Sequence, residues 1–136
     1  MKAEVYMVTG LSFVGKADSN HWVAMDGPPE FGGAAAGPRP LELLLIGLAG
    51  CTGMDVVSIL TKKRVALEEF RVDAEAARAP DHPKVFTDIK ISYYFRGDGL
   101  KEKDVIQAIE LSQEKYCSAS AMLSRAAKIS YEYKIE

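Results

Sequence analysis

Cysteine is scarce in this chain, as is histidine: the 136 residues include only Cys51, Cys117, His21 and His82. Four such side chains make a zinc site only at ligand spacing, and no C-x-x-C pair occurs. His82 lies in an Asp-His-Pro turn, so no metal is expected. Basic residues do not dominate either: 17 Lys and Arg stand against 19 Asp and Glu, for a net charge of -2. Phosphate recognition needs clustered cations, and their lack excludes nucleic acid as the expected partner. The Gly32–Gly37 run is not followed by Lys-Ser/Thr, and neither a dinucleotide fingerprint nor a Gly-x-Ser-x-Gly elbow occurs. Lys2 and Glu4 interrupt any apolar leader, so no signal peptide is expected. The charge-free apolar run from Leu43 to Met54 falls short of the about 20 residues that span a bilayer. A cytoplasmic, soluble protein without membrane association is the resulting expectation.

What is present fits one domain over residues 1–136, with 48% hydrophobic and 26% charged residues. Short apolar runs between residues 3 and 26, punctuated by Gly10, Gly15 and Asp18-Ser19-Asn20, predict a hairpin and a third strand including His21–Met25. Residues 27–40 form a Gly/Pro/Ala loop, long enough to be functional or else a flexible linker. A helix from Pro40 to about Arg64 follows, with Pro40 suited to its first turn, Glu42 near its N-terminus and Lys62, Lys63 and Arg64 at its end. Its centre, Leu43 to Cys51, is apolar on every face, which calls for burial on all sides. One sheet of so small a protein covers one side only, so the other predicts a second copy of the chain, a homodimer. Gly47, Gly50 and Gly53 allow a second backbone to come close.

A strand over Leu67–Ala76, a turn at Ala79–Pro83 and a long alternating strand over Val85–Phe95 come next. An amphipathic helix over 101–115, a short helix over Ser118–Ala127 and a last strand over Ile129–Ile135 complete an α+β chain.

The two thiols are read in two ways. A free cysteine behaves as a small buried hydrophobe, and both sites suit inert packing. Alternatively one thiolate attacks an oxidant and the other thiol resolves the sulfenic acid. A thiol of pKa about 8.5 is only a few per cent ionised at neutral pH, so a nucleophile needs a nearby cation or helix N-terminus. Arg39 is the nearest cation in sequence, and Glu42 is placed to orient its guanidinium; the plain alternatives are a solvated cation and a first-turn acid. Asp55, one turn after Cys51, opposes thiolate formation and reads as structural.

Gly37-Pro38-Arg39-Pro40-Leu41-Glu42-Leu43-Leu44-Leu45, followed by Leu48-Ala49-Gly50-Cys51-Thr52-Gly53-Met54-Asp55-Val56-Val57, resembles the signature helix of the OsmC/Ohr family (osmotically induced and organic hydroperoxide resistance proteins). Ser112-Gln113-Glu114-Lys115-Tyr116-Cys117-Ser118 is similar to that family's second-cysteine segment, and His82-Pro83-Lys84-Val85-Phe86 to a strand start in its YhfA-like branch. The resemblance implies an OsmC-like α+β fold, with a long buried central helix packed against antiparallel sheets in an intertwined homodimer. It implies Cys51 as the peroxidatic thiol and Cys117 as the resolving one, with organic hydroperoxides as substrates and oxidative-stress defence as the setting. A dithiol donor such as a lipoylated protein would be the reductant, and no bound cofactor is implied. The alternative on the same fold is a non-catalytic stress-response or small-ligand-binding protein. One departure stands out: the family's Pro-Glu pair is interrupted by Leu41, and no Arg occurs in Gly10–Lys16, which leaves Arg39 or Lys16 as the candidate cation.

Overall fold

Alternating short runs near the N-terminus close into a meander because Gly10, at a left-handed φ of 55°, supplies the turn between the first two strands. In the computed structural model, which describes residues 1–136, β1 (Ala3–Thr9), β2 (Ser12–Ala17) and β3 (Val23–Met25) form an antiparallel sheet in that order. The third strand starts at Val23 rather than His21, and His21 is exposed. The chain divides into two compact units, Met1–Leu44 and Leu45–Glu136.

Within the first unit, the Gly/Pro/Ala loop is organised around one carboxylate. Asp26, only 2% exposed at the end of β3, accepts from the Ser12 hydroxyl at 2.5 Å and from the amides of Gly27, Ala36 and Ala34 at 2.7, 3.2 and 3.4 Å. Those contacts tie the loop to β2 and satisfy backbone donors that no strand or helix pairs. A Cβ on Gly33 would lie 1.9 Å from the Gly27 carbonyl oxygen, so only glycine permits this closure.

Helix α1 (Pro40–Lys62) begins where expected, with Glu42 in its first turn and Lys62 in its last. It stops two residues earlier than the composition suggests, since Arg64 takes a left-handed φ of 58°. By length and composition α1 could cross a bilayer. The run Leu43–Met54 understated that length, because Asp55 is the one charge between Glu42 and Lys62.

In the second unit, β4 (Glu69–Arg78) pairs antiparallel with β5 (Phe86–Arg96). The closing strand β6 (Lys128–Ile135) lies on the other side of β5 and runs parallel to it, so this sheet is mixed. Central position explains the alternation of β5 from Asp88 onward: Ile89, Ile91, Tyr93 and Phe95 are buried, while Asp88 and Lys90 are exposed; a register shift against β4 breaks the phase before them, so that Phe86 is buried and Val85 and Thr87 are exposed. The buried side chains form the core with Leu48, Val56 and Leu60 of α1 and with Val105, Ala108 and Ile109 of α2 (Glu102–Leu111). Helix α2 gives way at Ser112 to five residues of wider π-type turn, Ser112–Tyr116, before α3 (Ser118–Leu123).

Apolar on every face, α1 buries only one of them in its own chain. Leu48, Thr52, Gly53, Val56 and Leu60 are buried, whereas Ile46, Met54 and Val57 remain 58%, 76% and 37% exposed. The sheet supplies one surface, against which Gly53 sits close to Val72 and Phe70. Beside that contact the exposed face of α1 opens on an apolar groove of about 720 Å³ bordered by Ile46, Gly50, Met54 and Val57 and by Phe70 and Val72 of β4.

The Asp26 contacts set a pH dependence. The Ser12 hydroxyl is the largest cause of a lowered Asp26 pKa; burial opposes it, and the Gly27, Ala36 and Ala34 amides reinforce it. A carboxyl lowered on folding contributes stability above its unfolded pKa and loses it as pH falls through the folded value. Asp26→Asn is therefore expected to lower the thermal midpoint at pH 7. Its gap from wild type should narrow as pH falls below the usual carboxylate range of about 4. Melting curves at pH 7, 5 and 3 check this, and a gap independent of pH would contradict it.

Candidate functional site

Cys51 and Asp55 stand one turn apart on α1 and so share a face. Cys117 follows the π-type turn, whose wider winding is closed by the Cys117 amide donating to the Ser112 carbonyl at 2.8 Å. One sulfur from each cysteine and a carboxylate oxygen of Asp55 all lie within 4.8 Å of one another. The two thiols far apart in sequence are thus neighbours, and both are free.

Their surroundings differ. Cys117 is 3% exposed, while Cys51 is half-buried. Burial pushes the Cys117 thiol up, against the Ser120 amide that donates to its sulfur at 3.3 Å. The Ser120 hydroxyl beside it is buried without a partner.

A chain of hydroxyls runs to Asp55 from the core. The Thr52 hydroxyl lies 2.6 Å from the Tyr93 hydroxyl and 2.8 Å from that of Ser112, which donates to Asp55 Oδ2 at 3.1 Å. Gln113 Nε2 donates to Tyr93 at 2.8 Å and to Thr52 at 3.1 Å. A carboxylate only accepts, so the proton directions follow from that end. Ser112 donates to Asp55, Thr52 to Ser112, and Tyr93 to Thr52. Burial, as the largest cause, raises the Tyr93 pKa, which keeps that first donor a phenol.

The other expected residues sit elsewhere. Arg39 and Glu42, in the unit Met1–Leu44, form an exposed i,i+3 ion pair with Nε–Oε1 of 3.7 Å. Lys16 pairs with Glu4 at 3.2 Å and lies over the Trp22 ring. His21 and His82 are exposed, and neither belongs to the thiol cluster. Cys51, Cys117 and Asp55 are the residues able to hold a thiophilic cation, one ligand short of a closed zinc set.

Sequence reasoning did not find Thr52, Tyr93, Ser112 and Gln113. A signal existed for two of them: Tyr93 occupies an inward position of β5, and Ser112 shares the apolar face of α2 with Val105 and Ile109. A hydroxyl in either place needs a partner.

Two three-stranded sheets, one long helix and two neighbouring free cysteines, one of them on that helix, match the OsmC-like class. The chain belongs to that family: the family model described as OsmC-like protein matches residues 32–132. The chain is 37% identical to protein YhfA of Escherichia coli strain K12, over 99% of this chain and 98% of that protein. Among solved structures it is similar to a hypothetical protein from Aquifex aeolicus VF5, with a TM-score of 0.83, 34% identity, and 99% and 96% of the two chains covered. It also shares the fold of an organic hydroperoxide resistance protein OsmC, described as a predicted redox protein, from Legionella pneumophila. There the TM-score is 0.69 at 16% identity, covering 98% of this chain and 97% of that one.

The hydroxyl chain gives a stability test. Thr52→Val keeps the side-chain shape but strands the Tyr93 and Gln113 donors and leaves Ser112 without its own. It should cost about 1–3 kcal/mol in urea denaturation, whereas Thr52→Ser should cost much less. Equal losses in the two variants would show that the methyl, not the hydroxyl, matters.

Proposed function

We propose that this protein is a thiol peroxidase that reduces organic hydroperoxides in the cytoplasm as part of an oxidative-stress response. The reading rests above all on the two free sulfurs lying within 4.8 Å of each other and of Asp55. The naming of a family relative for organic hydroperoxide resistance and redox function supports it.

The different surroundings of the sulfurs assign their roles. Cys51 is the more accessible and takes the peroxide; Cys117 is buried, with its thiol held up, and waits as the resolving group. The Cys51 thiolate attacks the peroxide oxygen, breaking the O–O bond, and the alkoxide takes a proton to leave as the alcohol. Cys51 becomes a sulfenic acid. Cys117 then displaces its oxygen as water, giving the Cys51–Cys117 disulfide. Closure shortens the sulfur separation to about 2.05 Å. A dithiol donor, such as a lipoylated protein, exchanges with this disulfide and restores both thiols while being oxidised itself.

Two copies are proposed to associate through the open face of α1. Ile46, Met54 and Val57 are exposed there, and Gly47 and Gly50 have nothing within 4 Å of a built Cβ, which leaves room for a second backbone. Met54→Lys should shift the species seen by sedimentation equilibrium from dimer toward monomer; an unchanged distribution would place the interface elsewhere.

The function is tested with reduced protein and one equivalent of cumene hydroperoxide, read by mass spectrometry. Wild type should gain an intrachain disulfide. Cys51→Ser should lose turnover entirely, and Cys117→Ser should accumulate a sulfenic acid on Cys51 and then over-oxidise. If wild type consumes no hydroperoxide with a dithiol donor, the remaining reading is a ligand-binding protein on the same fold.

A further inference from the structure

Resting on that peroxidase reading, the second half of the cycle poses a proton problem. The sulfenic acid on Cys51 faces a thiol that burial keeps protonated. A thiol is a poor nucleophile, and hydroxide is a poor leaving group. Moving one proton from Cys117 to the departing oxygen solves both difficulties. Asp55 is the one carboxylate in the cluster, within 4.8 Å of both sulfurs.

We propose that Asp55 is the proton shuttle of disulfide formation. Its carboxylate takes the proton from Cys117 Sγ as that sulfur attacks Cys51 Sγ, so the S–S bond forms while the S–O bond breaks. The departing oxygen takes the same proton from Asp55 and leaves as water, and Asp55 is a carboxylate again. The Cys117 sulfur is oxidised and the Cys51 sulfur reduced, so no outside oxidant is needed beyond the hydroperoxide already spent. Proton-transfer contacts often reach hydrogen-bond length only in the reacting complex.

The surroundings of Asp55 suit this task. Ser112 holds Oδ2 from one side, at the end of a hydroxyl chain in which every member donates toward Asp55, and Oδ1 accepts from no residue. Asp55 pairs with no cation, although Lys62 and Lys63 border the same groove and Lys63 pairs with Asp104 at 3.0 Å. That groove, of about 350 Å³ and reaching to Tyr116, gives small molecules access to the carboxylate. The titratable groups around Asp55 are thus Cys51 and Lys62 from α1, Lys63 just past its end, Tyr116 and Cys117 from the π-type turn and its end, and Tyr93 from β5 through Thr52 and Ser112.

The test separates the two steps. Reduced wild type and Asp55→Asn are each mixed with one equivalent of cumene hydroperoxide, quenched with dimedone at intervals, and analysed by mass spectrometry. Asp55→Asn should form sulfenic acid at least as fast as wild type, since a negative charge beside Cys51 has gone. Its disulfide should form about a hundredfold more slowly, the usual scale of a lost acid–base group, and should speed up with rising pH as Cys117 ionises unaided. Asp55→Ala should be equally slow and recover with added formate, which a structural role would not permit. Sulfenic acid with a disulfide rate within threefold of wild type in both variants overturns the shuttle alone. No sulfenic acid in wild type overturns the peroxidase reading and the shuttle with it.

Discussion

Most of the site depends on one buried contact, the hydrogen bond between Thr52 on α1 and Tyr93 on β5. A phenol at an inward position of a central strand cannot be left without a partner, and no strand neighbour supplies one. Thr52 does so, and this fixes both the rotation of α1 about its axis and its position along β5. Cys51 precedes Thr52 by one residue, and Asp55 follows it by three. Their directions are therefore set by the same contact. Ser112 and Gln113 join from the end of α2 and bring the π-type turn, and hence Cys117, to the same place. The geometry of the thiols is a consequence of satisfying a core hydroxyl.

That arrangement makes the two sulfurs chemically unequal although they are adjacent. Cys117 is enclosed and held as a thiol, while Cys51 lies at the edge of the helix face with access to solvent. An identical pair would give no direction to the chemistry. On the proposed reading, burial alone separates an attacking sulfur from a waiting one, and an acid near both is harmless to the waiting sulfur as long as it can pass a proton on. Asp55 adds no positive charge beside Cys51, yet it stands where the proposed closure needs a proton to travel. On this account a residue that looks unfavourable for one step is explained by the next.

Much of the fold was legible in the sequence because periodicity reports burial. The alternation of β5 from Asp88 onward, the start of α1 and the presence of three N-terminal strands follow from it. Direction was not legible: alternating residues in β6 pack equally well in a parallel or an antiparallel strand, and only the crossover through α2 and α3 decides. The π-type turn left no pattern, since one wider turn changes neither composition nor amphipathicity. Proximity of the cysteines was not legible either: the family resemblance implied their roles and left the distance between them open. The hydroxyl network was hidden because Thr52, Tyr93, Ser112 and Gln113 belong to three different elements and have meaning only once these meet.

Helix α1 shows why an all-apolar helix is an incomplete description. Residues four apart fall on one stripe, and its stripes have separate surroundings. Leu48, Thr52, Val56 and Leu60 face the core, with one hydroxyl among the hydrocarbons. Cys51 and Asp55 lie on the stripe beside it and meet Cys117. Ile46, Gly50 and Met54 form a third that nothing in the chain covers. Hydropathy averages these stripes into one apolar segment long enough for a membrane, whereas the chemistry differs on each. A partner copy on the third stripe would hold α1 from a side the core does not, and so would stiffen the element that carries Cys51 without touching the sulfur. Dimerisation and catalysis would then share one helix through its rigidity and need no common residue.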